Sequence, residues 1–291
     1  MTAIDTGLGN LKSRHPEWAP WLAVVQEILR EAVDPKWDAL VPEREGLQQS
    51  KVPLLAGAIL DLPKSSVPAL LAQLIRIACR SGTPQMATLE ALALAKLDAC
   101  ALFKASLDQD RDYIKQTAAN DGADPEALHA VAAMAPLPFL HACNRRWAER
   151  SIAVGWMEGY CPVCGAWPAL AEVRGIERSR HFRCGRCGGE WQAHCLLCPF
   201  CGMSDHNELV SLVLENSGSN AVIEACKRCL GYVKTFTTLQ GSPPAQVLLD
   251  DLGSVELDVA AVEQGYRRPQ GNGFLLNVTL TDHSAWGGPF A

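Results

Sequence analysis

The sequence predicts an α+β protein: a helical domain over residues 1–150, then over residues 151–291 two four-cysteine metal-ribbon modules and a C-terminal helical segment. Three observations carry this expectation. Nine of the twelve cysteines fall between positions 161 and 229, so composition changes near residue 150. Before that point apolar residues recur at helical spacing; after it the segments are short, β-branched or alternating, and bounded by Gly, Asn or cysteine pairs. With 291 residues, 48% hydrophobic and 20% charged, the chain suits one large or two ordinary domains with a buried core, which excludes a disordered chain.

The helical part opens with HPEWAPWLAVVQEILREAV. In SVPALLAQLIRIACRSG, residues Leu70, Leu71, Leu74, Ile75, Ile77 and Ala78 recur at helical spacing, and Gly82 is a stop signal. TPQMATLEALALAKLDACALFKASL repeats the pattern, with Thr83 placed to cap and Pro84 at the first helical position. Asp124, Pro125 and Glu126 start another helix in the same way, and PFLHACNRRWAER completes a count of five to seven. The candidate strands of the second half are ALAEVRG, RHFRC, LVSLVLE, AVIEA and GYVKTFTTL. After Pro243 and Pro244, AQVLLDDLGSVELDVAAVEQGY is amphipathic and offers Val247, Leu248, Leu252, Val255, Leu257, Val259 and Val262 to a core. Gly253 interrupts it, so the segment fits two helices as well as one.

The cysteines come in four C-x-x-C pairs: Cys161 and Cys164, Cys184 and Cys187, Cys198 and Cys201, Cys226 and Cys229. Gaps of 19 and 24 residues separate the first two pairs and the last two, each enough for a hairpin that folds the second pair onto the first. This is the spacing of rubredoxin-like or zinc-ribbon-like tetrahedral sites. It places site one at about 158–193 and site two at about 195–240. In CPVCG, CGRCG and CPFCG a glycine follows the second cysteine, where a tight turn needs positive φ and aims backbone N–H groups at the sulfurs. In CKRCLG, Leu230 takes that place, which weakens one knuckle without removing ligands.

Structural disulfides are disfavoured because no export signal is visible, and a thioredoxin-like dithiol needs one pair beside a βαβ unit. Cys195 stands in HCLLCPFC at equal steps with Cys198 and Cys201, but Asp205 and His206 follow where an iron–sulfur sequence needs Cys and Pro, so Cys195 is expected to pack instead of ligate. His181, His194 and His206 lie near the pairs and are expected to be surface or supporting residues. Four thiolates accept zinc or iron, and spacing does not distinguish them.

No metalloprotease, P-loop, nucleophile-elbow or dinucleotide motif occurs, and closed four-cysteine sites leave no open coordination position, so the chain is not expected to be an enzyme. Net charge is −6, with ten basic against fourteen acidic side chains from Ser151 onward, which argues against general nucleic-acid binding. Arg174, Arg178, Arg180, Arg183 and Arg186 form a local basic run, read as a solvated hairpin face, and Trp156, Tyr160, Trp167 and Trp191 are read as ribbon core. The N-terminus lacks a secretory pattern, and Lys96 and Asp98 interrupt the most apolar helical stretch. A cytoplasmic protein without membrane insertion is expected.

CPVCGAWP, RCGRCGGEW, CPFCG, EACKRCLGYVKT and LLDDLGSVELDVAAVEQGYRR together resemble the FdhE family of formate dehydrogenase accessory (formation) proteins, over roughly residues 155–270. The resemblance implies a cytoplasmic, non-enzymatic assembly factor that binds the catalytic subunit of formate dehydrogenase. It further implies rubredoxin-like iron at Cys161, Cys164, Cys184 and Cys187 and at Cys198, Cys201, Cys226 and Cys229, with zinc as the alternative occupant, and self-association as a homodimer. Two other readings follow from the residues: an electron-transfer protein, from the rubredoxin-like knuckles, and a zinc-ribbon module on nucleic acid, from the arginines and tryptophans.

Overall fold

Capping side chains set the helix starts of the first half. In the computed structural model, which describes residues 3–43, 51–63, 66–80, 83–92, 97–148, 155–213 and 220–281, Thr83, Asp98, Asp110 and Asp124 each accept a hydrogen bond from the backbone N–H three residues on. The helices are α1 (Ala3–Arg14), α2 (Ala19–Ala32), α3 (Ser66–Cys79), α4 (Pro84–Ala87), α5 (Ala99–Asp108), α6 (Arg111–Asn120), α7 (Pro125–Ala132) and α8 (Leu137–Ala148). Among the described residues these are eight, against the five to seven expected. The pattern missed α1, and also α6, which buries only Ile114 and Ala118. The segment that opens at Thr83 is also divided: α4 passes into a 3-10 turn over Thr88–Ala91, and the Asp98 cap starts α5 anew. Gly82 and Lys96 lie outside the described residues.

The chain forms two compact units. One comprises Leu8–Gly46, Leu55–Ala142 and Leu276–Ala291. Its core is mainly aliphatic with a few aromatic rings: Leu22, Val25 and Ile28 of α2, Leu71 and Leu74 of α3, Phe103 of α5 and Val131 of α7 are all buried. The apolar stripe read along α3 is the buried one, apart from Ile77, which is half-buried. A short strand, β1 (Ile59–Leu60), pairs in parallel with a terminal one (Thr279–Leu280) inside this unit. None of the described helices is long and apolar enough to cross a membrane.

The other unit comprises Met1–Gly7, Leu47–Leu54 and Cys143–Leu275 and carries the cysteine pairs. It contains β2 (Leu170–Arg174), β3 (Ser179–Arg183), β4 (Glu190–Ala193), β5 (Leu209–Leu212), β6 (Ala221–Cys226) and β7 (Tyr232–Thr238), followed by α9 (Gln246–Leu252) and α10 (Val255–Glu263). The strand after α10, Thr279–Leu280, is β8. All expected strands form, and β4 is added from EWQA. Each ribbon runs knuckle, strand, strand, knuckle, strand. The two ribbons are not separate sheets: the order is β4-β3-β2-β7-β6-β5, antiparallel within each ribbon and parallel at the β2–β7 junction, from Leu170 opposite Lys234 to Arg174 opposite Thr238.

Gly253 separates α9 from α10. Leu257 and Ala261, one helical turn apart, pack on Ala221, Ile223, Ala225 and Tyr232 of the sheet. That fixes the inward face of α10 and turns Val259 and Val262, expected in the core, outward to solvent.

Candidate metal centres

Each cysteine pair sits in the same local turn. The residue after the second cysteine donates its N–H to the carbonyl of the first: Gly165 to Cys161 (2.9 Å), Gly188 to Cys184 (3.0 Å), Gly202 to Cys198 (3.0 Å) and Leu230 to Cys226 (2.9 Å). The first cysteine N–H in turn donates to the carbonyl one residue beyond, on Ala166, Gly189, Met203 and Gly231. This geometry requires left-handed backbone at the fifth position, with φ of 66°, 70° and 70° at the three glycines and 59° at Leu230. The knuckle that lacks glycine therefore keeps its shape and carries the strain.

The β2–β3 and β5–β6 hairpins bring the second knuckle of each ribbon onto the first. The sulfurs of Cys161, Cys164, Cys184 and Cys187 all lie within 4.8 Å of one another, as do those of Cys198, Cys201, Cys226 and Cys229. The close pairs are Cys161–Cys187 and Cys164–Cys184 at 3.5 Å, Cys198–Cys229 at 3.6 Å and Cys201–Cys226 at 3.7 Å. A disulfide requires about 2.05 Å, and all twelve cysteines are free. A tetrahedron with metal–sulfur bonds of about 2.3 Å has edges of about 3.8 Å, so both groups are the right size for one ion each. Backbone N–H groups of Val163, Cys187, Gly189 and Gly231 point at Cys161, Cys184, Cys187 and Cys229 sulfurs at 3.4–3.5 Å. Burial pushes the Cys161 and Cys187 thiols well above the usual range, while at Cys184 hydrogen bonds from the neighbouring thiols and the Cys187 N–H outweigh burial and hold it well below. At site two burial raises Cys198 and Cys229, and the N–H groups of Cys229 and Arg228 overcome it at Cys226, which is lowered.

The eight cysteines singled out by spacing are the eight brought together. Cys195, expected to pack, is exposed, because the turn after β4 carries it to the surface. Neither His181, His194 nor His206 joins a group; His194 and His206 are exposed and His181 meets Ser179. The basic run is not a solvated face throughout. Arg183 is buried and donates to Glu172 (2.8 Å), Gly188 O and Ser242 O, and Arg180 is buried against Glu224 (2.5 Å) and the carbonyls of His194 and Leu197. Trp156 and Trp191 are core, donating to Tyr160 O and Glu158 O, whereas Tyr160 and Trp167 are half-buried. Trp167 meets Phe200, between Cys198 and Cys201, edge-on at 5.5 Å, so the knuckles of the two sites touch. Sequence reasoning missed the buried charges Glu172, Arg183 and Lys234; their one signal was placement beside a cysteine or inside a strand.

Leu230 gives a direct test of knuckle strain. A left-handed non-glycine residue costs about 1–2 kcal/mol, and at 41% exposure Leu230 gives back little packing. Leu230→Gly is expected to tighten metal binding at site two by about fivefold, offset in part by the looser unfolded chain, and to leave site one unchanged. Competition with a chromophoric chelator measures both; equal or weaker binding at site two contradicts the strain.

Residues 196–275 match the family described as "FdhE, C-terminal domain". The chain is 29% identical over 150 residues to Protein FdhE of Escherichia coli O127:H6, which covers 48% of each protein, and 38% identical over 120 residues to the Protein FdhE homolog of Pseudomonas aeruginosa, 38% of each. The chain thus matches about half the length, or less, of these relatives. A crystal structure of the FdhE protein from Pseudomonas aeruginosa shares the fold, with a TM-score of 0.60 and 22% identity over 94% of this chain and 95% of that one.

Proposed function

We propose that the chain is a member of the FdhE family, a reading supported by the match over residues 196–275 and by the partial relatives, and that it is an accessory protein for formation of formate dehydrogenase, not itself an enzyme, that binds the catalytic subunit of that enzyme in the cytoplasm. The observation that carries this is the coincidence of the family match with two four-sulfur groups inside one sheet. In this reading residues 1–150 are a supporting helical domain and residues 151–291 the metal-bearing region. Cys161, Cys164, Cys184 and Cys187 hold one ion, and Cys198, Cys201, Cys226 and Cys229 the other. Iron is the proposed occupant and zinc the alternative. When bound, the ion crosslinks knuckles whose own cores are thin. Orienting those knuckles falls to the chain: backbone N–H groups aim at the sulfurs, and Arg183 ties Gly188 to Ser242. Burial of Arg180 and Arg183 supports a protein-binding reading over nucleic-acid binding, since it removes two cations from the surface. Self-association as a homodimer is part of the same proposal.

Co-purification from cells that express a formate dehydrogenase is the test. The tagged chain is expected to bring down the catalytic subunit and to carry two ions per chain, coloured by ferric thiolate if iron is the occupant. Recovery of two ions without the subunit would remove the accessory role while leaving the metal sites standing.

A further inference from the structure

The two centres are built from the same turns but differ in how they meet solvent. Cys161, Cys164, Cys184 and Cys187 are all 0% exposed. Site one is sealed further by buried Arg183, which donates to Gly188 O at 3.2 Å, and by Pro244, which lies 2.5 Å from where a side chain on Gly188 would begin. At site two Cys201 is exposed and Cys229 half-buried. Beside it opens a cleft of about 100 Å³, walled by Cys198 and Cys226 together with Leu196, Phe200, Leu209 and Val210. None of the site-one cysteines lines that cleft. A space of about 10–15 Å³ holds one water, so this cleft has room for a small ligand beside Cys198 and Cys226, while exposed Cys201 meets solvent directly. The strained turn at Leu230 lies in the same site, which lowers the cost of opening it.

Building on the metal-binding reading above, we propose that site two is an exchange port, at which a soft divalent cation is passed to and from a thiolate-bearing carrier, while site one keeps its ion as a fixed strut. The cleft is walled by apolar side chains and by the Arg180–Glu224 ion pair, and the exposed thiol of Cys195 stands in the same wall, a soft donor at its mouth. The transfer is a stepwise substitution. A site-two thiol forms one metal–sulfur bond as one carrier metal–sulfur bond breaks, and its proton passes to the released carrier thiolate. The ion keeps its charge and its number of sulfur ligands, and no electron moves.

The experiment loads the full chain with zinc, counts the bound ions, and then applies EDTA with or without reduced glutathione as the carrier thiol, aliquots being quenched at intervals with excess N-ethylmaleimide. Modified cysteines are mapped against time by mass spectrometry. Exposed Cys195 is expected to react before any chelator is added and serves as the internal standard. Cys198, Cys201, Cys226 and Cys229 are expected to react at least about tenfold faster than the four site-one cysteines. Glutathione, supplied below the amount that consumes the maleimide, is expected to speed zinc loss from site two alone. A single time course for all eight cysteines, or earlier reaction at site one, overturns the proposal, and no effect of glutathione overturns its carrier step. Fewer than two bound zinc ions at the outset would overturn the metal-binding reading itself, a result distinct from two ions leaving together.

Discussion

Cys184→Ser is expected to lower the metal content from two ions per chain to one and to unfold the first ribbon, while the helices of the first half keep their far-ultraviolet signal. The reason is one of scale. Structural zinc contributes about 10–16 kcal/mol to small zinc-binding folds, comparable to the whole ~5–15 kcal/mol stability of a domain. Cys184 is also one of the four sulfurs brought within 4.8 Å of one another, so its loss leaves three ligands for the ion. Strand β3 is held by pairing with β2 and by buried Arg180 and Arg183, and β4 by pairing with β3 and by Trp191 against Phe182, but the sulfur centre alone crosslinks the two knuckles of this ribbon. Metal analysis, circular dichroism and proteolysis at residues 175–195 check this. A variant that keeps both ions, or that loses its helical signal, contradicts it.

Lys234→Met is the second large effect, with an expected loss of about 3–5 kcal/mol, the usual cost of removing one partner from a buried charge group. Lys234 is 0% exposed and reaches Asp251 and Asp258, each at 2.8 Å, and the Asp251 carbonyl at 2.6 Å. Arg268 grips the same two carboxylates at 2.5 and 2.7 Å, and the Tyr232 hydroxyl donates to Asp258. This group fastens β7 to α9 and α10, and without Lys234 two carboxylates face one cation. Adding Asp258→Asn is expected to recover part of the loss, because one unpaired charge is removed with its partner. Burial alone would raise the Asp258 pKa, but the Arg268 charge and the Lys234 and Tyr232 hydrogen bonds outweigh it and hold it low. Its contribution is therefore present above the usual Asp value of about 3.9 and is lost as pH falls through the lower folded value. Urea unfolding of the metal-loaded protein from pH 7 down to pH 3 reads all of this; a loss below about 1 kcal/mol for Lys234→Met contradicts the latch.

What the sequence disclosed was what is local. A C-x-x-C-G run states its own turn, so the grouping of sulfurs and the positive φ at Gly165, Gly188 and Gly202 are legible in the sequence. Leu230 marked a departure, and the structure shows its form: the same turn, kept at a left-handed residue with a side chain. The β2–β7 junction was not legible, because parallel pairing between residues more than sixty positions apart leaves no periodic trace. Glu172, Arg183 and Lys234 were hidden for another reason: alternation assigns charged strand residues to water, and only partners far along the chain reverse that. In the first half, helix existence was readable from apolar spacing, whereas the restart at Asp98 depended on one side-chain cap.

The parallel junction also sets an order on synthesis. As the chain leaves the ribosome, the segment through Trp191 can close its hairpin while the rest is still being made, yet β2 has to wait for Lys234 and its neighbours before its second edge is covered. During that interval Leu170, Ala171 and Glu172 present an open strand, the kind of edge to which nascent chains adhere. Anything that slows translation between β4 and β7 prolongs that exposure, so slower arrival of β7 is expected to lower the yield of folded protein.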